Sequence, residues 1–163
     1  MPTNNVPFMQ LPDVALSDGA SNTAAGDSRS ASTFNGTTWD RWRGNNELSL
    51  LASAARTATP AAADQTNYNA RGAVITIDVT AAGVTPSVVF TVQGKDATSG
   101  QYYTILASAA IVGAGPTVLR VFPGLTAAAN TTVSDVLPRT WRINAVHGNA
   151  TTITYSVGVS MVH

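Results

Sequence analysis

The residues with the most obvious ligand-binding chemistry form the stretch Asp64-Gln65-Thr66-Asn67-Tyr68-Asn69. Its carboxylate, hydroxyl and amide oxygens are the kind of ligands that Ca²⁺ prefers. The stretch lacks the glycine and the distal bidentate glutamate of a calcium-binding hand. Asn and Asp side chains also bond to the nearby backbone in turns. The favoured interpretation is therefore an Asx-rich turn that leads into a strand, and no metal site is predicted.

The residue types give little support to catalysis. The chain has no cysteine and two histidines, His147 at the end of a predicted strand and His163. Glu47 is the only glutamate, so a carboxylate pair for glycoside hydrolysis would have to draw on scattered aspartates. A nucleophile elbow, a phosphate-binding loop and a paired-histidine metal motif are all missing from the sequence. We therefore predict that the protein is not an enzyme and needs no cofactor.

Aromatic side chains are the better candidates for binding, to a sugar or to a protein. They include Trp39, Trp42, Tyr102, Tyr103 and Trp141. Strand alternation predicts that Trp141 and Tyr103 face inward, which weakens a sugar-stacking platform. Trp42 lies between two arginines and is the better surface residue. Because tryptophan also fills subunit interfaces, we expect Trp42 to contact a protein rather than a glycan.

The N-terminal segment 1–33 is predicted to be an extended arm followed by a linker. Prolines at positions 2, 7 and 12 oppose a helix, and residues 17–32 have the Ser-, Ala- and Gly-rich composition of a flexible linker. A flexible segment must bury apolar side chains to offset the entropy that it loses on ordering. We therefore predict that the apolar residues between the prolines bind a partner: Val6, Phe8, Met9 and Leu11.

The strands that position these groups are centred on the stretch 69–95. Apolar and polar side chains alternate along 69–80 and again along 87–95. Such period-two alternation predicts two strands that each bury one face. Gly83 and Pro86 favour a turn between them, so we expect the two strands to be antiparallel neighbours.

Further alternating runs predict that the chain is all-β. They predict strands near 48–53, 103–108, 117–122, 140–147 and 152–162, and the Asn35-Gly36 pair predicts a hairpin that brings Trp39 close to Phe34. About nine short strands indicate an antiparallel β-sandwich or jelly roll. The predicted organisation is an extended N-terminal arm at 1–33 and a β-sandwich domain at 34–163. Its expected core includes Ile75, Ile77, Phe90, Val92, Ile143 and Val157.

The composition favours a protein that works in an assembly. Charged residues make up 11% of the chain, and 9 acidic residues balance 9 basic ones. Such weak charge offers little attraction to nucleic acid or to an anionic membrane, and no apolar run of about 18 residues could span a bilayer. Neither is predicted as a partner. Apolar residues on predicted outward faces favour a homo-oligomer, with a trimer as the expected form: Leu51, Val74, Val89 and Leu119.

Seven stretches between Phe34 and Val162 carry a resemblance to a known family. They are FNGTTWDR (34–41), LLASAARTAT (50–59), DQTNYNARG (64–72), FTVQGKD (90–96), YYTILASAAI (102–111), VLPRTWR (136–142) and ITYSVG (153–158). Together they resemble a family of small virion structural proteins of tailed bacteriophages. The resemblance does not extend to the arm. It implies a capsid decoration (cement) protein, commonly a trimer at three-fold positions, and it brings no catalytic residues.

The expected function follows from this resemblance and from the apolar arm. We expect a non-enzymatic decoration protein that binds the major capsid protein on the outside of the head and bridges capsid subunits. No secretion signal is recognisable, so we expect synthesis and assembly in the host bacterial cytoplasm and a final location on the capsid surface of the virion. A receptor- or glycan-binding module of a tail fibre or baseplate is one alternative, and exposed aromatics at one end of the sandwich would favour it. A head–tail joining protein is another.

Overall fold

The computed structural model describes residues 32–34, 37, 39–41 and 44–163. These residues form eleven β-strands and no helix, so none of the described segments is a helix that could cross a membrane. The strands are β1 Ser32–Phe34, β2 Trp39–Arg41, β3 Asn46–Arg56, β4 Gln65–Thr66, β5 Gly72–Ala82, β6 Val88–Lys95, β7 Tyr102–Ala107, β8 Gly115–Val121, β9 Thr132–Val133, β10 Thr140–His147 and β11 Ile153–Val162.

Two larger sheets pack face to face, which confirms the predicted β-sandwich. The five-stranded sheet has the order β3-β11-β5-β8-β9, and the four-stranded sheet has the order β4-β10-β6-β7. All neighbours in these sheets are antiparallel except β8 and β9. The strands β1 and β2 form a separate hairpin in which Phe34 lies opposite Trp39, as the Asn-Gly pair predicted.

The core lies between the two sheets and is formed by the apolar face of each long strand. All six predicted core residues are at most 5% exposed. Burial follows the alternation along β6, β10 and β11 without interruption. Trp141, Tyr155 and Phe90 are the largest fully buried side chains. The rings of Phe90 and Tyr155 meet edge to face, with centroids 5.0 Å apart, so the core is packed by aromatic as well as aliphatic contacts.

The predicted pairing of β5 with β6 is wrong. β5 lies between β11 and β8 in the five-stranded sheet, whereas β6 lies between β10 and β7 in the four-stranded sheet. The connection at residues 83–87 therefore crosses from one sheet to the other. Each strand still buries one face, because the two strands present their apolar sides to the core from opposite layers.

The predicted faces of β7 are also wrong, because the strand contains a bulge. Val92 pairs with Leu106 but Gln93 pairs with Thr104, which leaves Ile105 as an extra residue. The alternation that points Tyr103 inward also predicts Ile105 on that face. An extra residue reverses the alternation beyond it, and Leu106 is buried while Ile105 is only half-buried. Tyr103, predicted to face inward, is 49% exposed at the end of the sheet. Trp141 is fully buried, as predicted.

Leu119 departs from its predicted outward position. It is fully buried and pairs with Ile75 of β5. The register of β8 against β5 places Leu119 and Val121 beside inward-facing residues, and this register could not be read from the short run itself. Leu51 also departs from its predicted outward position, because it lies opposite the buried Val157 and packs against the core. Val74 and Val89, the other two residues predicted to face outward, are half-buried.

Candidate functional site

Tyrosines are concentrated at one end of the four-stranded sheet, where β4 and β6 finish and β7 and β10 begin. Of the 4 tyrosines in the chain, Tyr68 lies two residues after the end of β4, and Tyr102 and Tyr103 open β7. Tyr68 and Tyr103 are 45% and 49% exposed, while Tyr102 is half-buried. We call this region, with the polar residues that contact its rings, the tyrosine end. It combines aromatic area with solvent access, as binding surfaces do.

Arg142 stacks on the ring of Tyr102. Its guanidinium carbon lies 3.3 Å from the ring centroid, and its Nε donates a hydrogen bond of 2.9 Å to Gln93 Oε1. Arg142 and Gln93 are opposite one another on β10 and β6. Because their strand neighbours Trp141, Ile143 and Val92 are buried, alternation places Arg142 and Gln93 on the outer face of the sheet. The sheet thus holds a flat cation against an aromatic ring at the surface.

Asp64 completes this cluster by binding two of its members. Lys95 Nζ lies 2.7 Å from Asp64 Oδ2, and the Tyr102 hydroxyl donates a bond of 2.7 Å to Oδ1. The bonds from Lys95 and then from Tyr102 hold the pKa of Asp64 below its usual value, and the bond to Asp64 raises the pKa of Lys95. The Asp64–Lys95 pair therefore stays ionised near neutral pH.

In the oxygen-rich stretch 64–69, the side chain of Asn67 bonds to the nearby backbone. Asn67 is 6% exposed. Its Nδ2 donates to the carbonyls of Ala70 and Leu137, and its Oδ1 accepts from the Ala70 amide. The interpretation as an Asx-rich turn is therefore confirmed. Among the described residues, no group of three or more His, Asp or Glu side chains is placed to hold a metal ion.

Tyr68 lines a small cleft beside this turn. The cleft measures about 210 Å³ and lies between the start of β3 and the turn. Its apolar lining includes Leu48 and Met161, and its polar lining includes Asn46 and His163. The guanidinium of Arg139 lies 5.4 Å from the Tyr68 ring. Pockets for drug-sized ligands have volumes of roughly 300–1,000 Å³, so this cleft suits one side chain or one sugar ring.

The opposite end of the sandwich, which we call the histidine end, holds a second tyrosine cluster. His147 Nε2 lies 3.1 Å from the hydroxyl of the fully buried Tyr155. The Arg56 guanidinium lies 4.5 Å from the Tyr155 ring and donates to the Tyr155 carbonyl at 2.7 Å. Burial, with the Arg56 charge second, lowers the pKa of His147, and burial raises the pKa of Tyr155. This neutral pair joins β10 to β11 and so ties the two sheets together.

The partner-binding residues predicted from the sequence all lie outside the described residues: Val6, Phe8, Met9, Leu11 and Trp42. Their roles therefore stay predictions. Trp141 cannot serve as a stacking platform, because it is fully buried.

Sequence reasoning did not find the cluster around Tyr102. The outward position of Arg142 was visible in the alternation of 140–147, but its partners come from distant parts of the chain. Asp64 lies 38 residues before Tyr102, and Arg142 lies 49 residues after Gln93. No local pattern joins residues at such separations.

No model of a known protein family matches this chain, and no curated protein is significantly similar to it. The resemblance to virion proteins therefore stays a prediction, and the function has to be inferred from the surface chemistry.

Proposed function

We propose that the chain is a non-enzymatic structural protein of a phage virion, which binds the outside of the head as a decoration protein. In this proposal it contacts the major capsid protein and bridges neighbouring capsid subunits. The observation that supports it best is the tyrosine end, where Tyr102 is held between Arg142 and the Asp64–Lys95 pair. Tyrosine and arginine are enriched among the residues that carry most of the binding energy in protein interfaces.

The cluster is organised before any partner arrives. The Arg142 stack and the bond from the Tyr102 hydroxyl to Asp64 already fix the ring. A preorganised side chain loses little entropy on binding, so more of its contact energy appears as affinity. A capsid also offers many identical sites, and simultaneous attachment at several of them turns modest contacts into high avidity.

The proposed homo-oligomer is supported by β3. This edge strand of 11 residues carries charges only at Glu47 and Arg56, and it has no proline. Most of its residues are exposed, with Leu48 37% exposed. Long uncharged edges invite pairing with another chain. Ser53→Lys, at an exposed position of β3, is expected to shift the protein toward monomer in sedimentation equilibrium. An intact chain that is already monomeric at micromolar concentration would contradict the oligomer.

Capsid binding tests the role of the tyrosine end. The double variant Tyr102→Ala/Arg142→Ala is compared with the intact chain for binding to undecorated capsids. Loss of an interface hot spot costs at least about 2 kcal/mol, or roughly 30-fold in affinity. The matched control, Val84→Ser/Val112→Ser, changes two side chains that are 85% and 64% exposed in loops at the histidine end. The proposal fails if the two double variants bind equally well.

Deletion of residues 2–16 tests the predicted arm. The first described strand begins at Ser32, so the sandwich is expected to fold without these residues and to keep its circular dichroism spectrum. Capsid binding is expected to fall sharply, because Val6, Phe8, Met9 and Leu11 are removed together. If the shortened protein saturates capsids as tightly as the intact one, the arm has no clamping role.

A receptor- or glycan-binding module is the second candidate, and the exposed tyrosines favour it. Tyr68 and Tyr103 lie at one end of the sandwich, and the cleft beside Tyr68 suits a sugar ring. Saturable binding of host surface polysaccharide that Tyr68→Ala abolishes would establish this function. Electron density of the virion separates all three options, because it shows the protein on the head surface, on the tail fibre or baseplate, or at the head–tail junction.

A further inference from the structure

A second cleft, on the five-stranded sheet, has no part in the contacts described so far. It measures about 180 Å³ and is walled by apolar side chains, which include Val74, Phe122, Leu125 and Val162. All four are half-buried, so their remaining apolar surface faces solvent. A cleft of this size is large enough for one aliphatic side chain.

Gly72 shapes this cleft through a close approach of Phe122. A Cβ atom at Gly72 would lie 2.6 Å from Phe122 Cδ2 and 2.2 Å from the Val121 carbonyl oxygen. Only glycine therefore lets the ring settle against the start of β5. The Phe122 backbone is held in turn by a bond of 3.2 Å from its amide to the Val133 carbonyl. The fold therefore fixes the position of the Phe122 ring, which forms the aromatic wall of the cleft.

Two arginines border the cleft. Arg120 is one of the lining residues, and the Arg71 guanidinium lies 5.7 Å from the centroid of the Phe122 ring. Both are exposed. In the part of the chain that the structure describes, neither forms a salt bridge with a carboxylate. An apolar cleft therefore lies next to two positive charges that nothing in the described fold neutralises.

We propose that this cleft is a docking site for an acidic peptide segment of a partner protein, in which an aliphatic side chain is flanked by carboxylates. The aliphatic side chain fills the space between Val74 and Phe122. The carboxylates bind Arg71 and Arg120, because guanidinium groups form strong, charge-assisted bonds to carboxylates. Charge complementarity selects this occupant over a neutral or basic segment.

The site is distinct from the cluster around Tyr102 in both place and chemistry. Its lining residues belong to β5, β8, the segment after β8 and the end of β11, whereas Tyr102, Gln93 and Arg142 belong to the four-stranded sheet. The proposal does not need the capsid role, and binding in solution tests it without capsids. Failure of one proposal therefore leaves the other standing.

The test is a titration of the isotope-labelled full chain with the peptide GSLDLEGS, followed by the shifts of backbone amide signals. We expect saturable shifts centred on Val74, Phe122 and Leu125. The neutral counterpart GSLNLQGS is expected to bind with an affinity at least about ten-fold lower. Added salt is expected to weaken the acidic peptide alone, because ions screen exposed charges.

Two variants and a control separate the apolar and the charged contributions. Val74→Phe should fill the cleft and abolish the shifts, while a strand tolerates phenylalanine at a half-exposed position. Arg120→Gln should keep the stem, remove the charge and bring binding of the acidic peptide toward that of the neutral one. Val84→Ser, in a distant loop, should bind like the intact chain.

The proposal is overturned by any of four results. The acidic peptide could cause no saturable shift, its shifts could map away from the cleft, or the neutral peptide could bind as tightly. Equal binding by Val74→Phe and the intact chain would have the same meaning.

Discussion

The two ends of the sandwich use the same pair of residue types in opposite ways. At the histidine end, Arg56 lies over the ring of Tyr155, whose side chain is fully buried and whose hydroxyl is bonded to His147. At the tyrosine end, Arg142 lies over the ring of Tyr102, whose hydroxyl is bonded to the exposed Asp64. The contacts are alike, but their surroundings differ.

Burial decides which of the two clusters supports the fold and which is available for binding. The Tyr155 ring contacts Phe90 in the core and reaches His147 from the opposite sheet, so its contacts hold the layers together. The Tyr102 cluster lies on an outer face, where a partner can still reach it. An arginine–tyrosine pair can therefore support the fold or bind a partner, and the solvent access of the ring decides between these two roles.

The largest expected difference between the two ends is in the stability lost when Tyr155 or Tyr102 is truncated to alanine. Tyr155→Ala leaves an aromatic-sized cavity and is expected to lower the free energy of unfolding by about 3–5 kcal/mol, as is Phe90→Ala. Tyr102→Ala should change it by less than about 1 kcal/mol, because surface substitutions away from the core cost little. Urea denaturation measures both values. Equal losses at the two ends would show that the comparison is wrong.

Binding should give the reverse order. Tyr102→Ala is expected to weaken attachment to capsids by roughly 30-fold, as for a hot-spot residue. Tyr155→Phe keeps the buried ring and is expected to bind like the intact chain. Affinity for undecorated capsids is the measurement. A Tyr155→Phe variant that binds more weakly than Tyr102→Ala would show that the capsid contact lies at the histidine end and not at the tyrosine end.

The histidine end should make folding sensitive to mild acid. Because the folded state lowers the pKa of His147, the unfolded chain takes up this proton at higher pH than the folded chain does. Stability is therefore fully present above the ordinary histidine pKa of about 6.5, and it falls as the pH drops below that value toward the lower folded pKa. Urea midpoints measured between about pH 7.5 and pH 5 should show the decline.

His147→Gln is the control for this pH dependence, since glutamine cannot take up the proton. Its urea midpoint should stay constant over the same pH range. A decline in the glutamine variant as large as that in the intact chain would assign the acid sensitivity to other groups.

Tyr155→Phe removes only the hydrogen bond to His147 and should lower the free energy of unfolding by about 1 kcal/mol.

The ion pair at the tyrosine end should contribute the least to stability. Asp64 and Lys95 side chains are each 32% exposed, and solvent and salt screen such pairs. Asp64→Asn is therefore expected to leave the urea midpoint unchanged within error, at low and at high salt. A loss as large as that of Tyr155→Phe would mean that the exposed cluster supports the fold.

The sequence by itself determined the strands and most of their buried faces. Alternation located β5, β6, β10 and β11, and it identified core residues such as Phe90 and Ile143, because the two-residue period of a strand is a local property of the backbone. The Asn35-Gly36 hairpin was equally local.

Only the tertiary structure decided which strands are neighbours and what each strand end does. The connection between β5 and β6 is compatible with a hairpin or with a crossing between layers, and packing of the whole core selects the crossing. The bulge at Ile105 changed the faces of β7, and the register of β8 buried Leu119. The Tyr102 and Tyr155 clusters join residues from separate strands and turns, so their chemistry exists only once the two sheets have closed on their core.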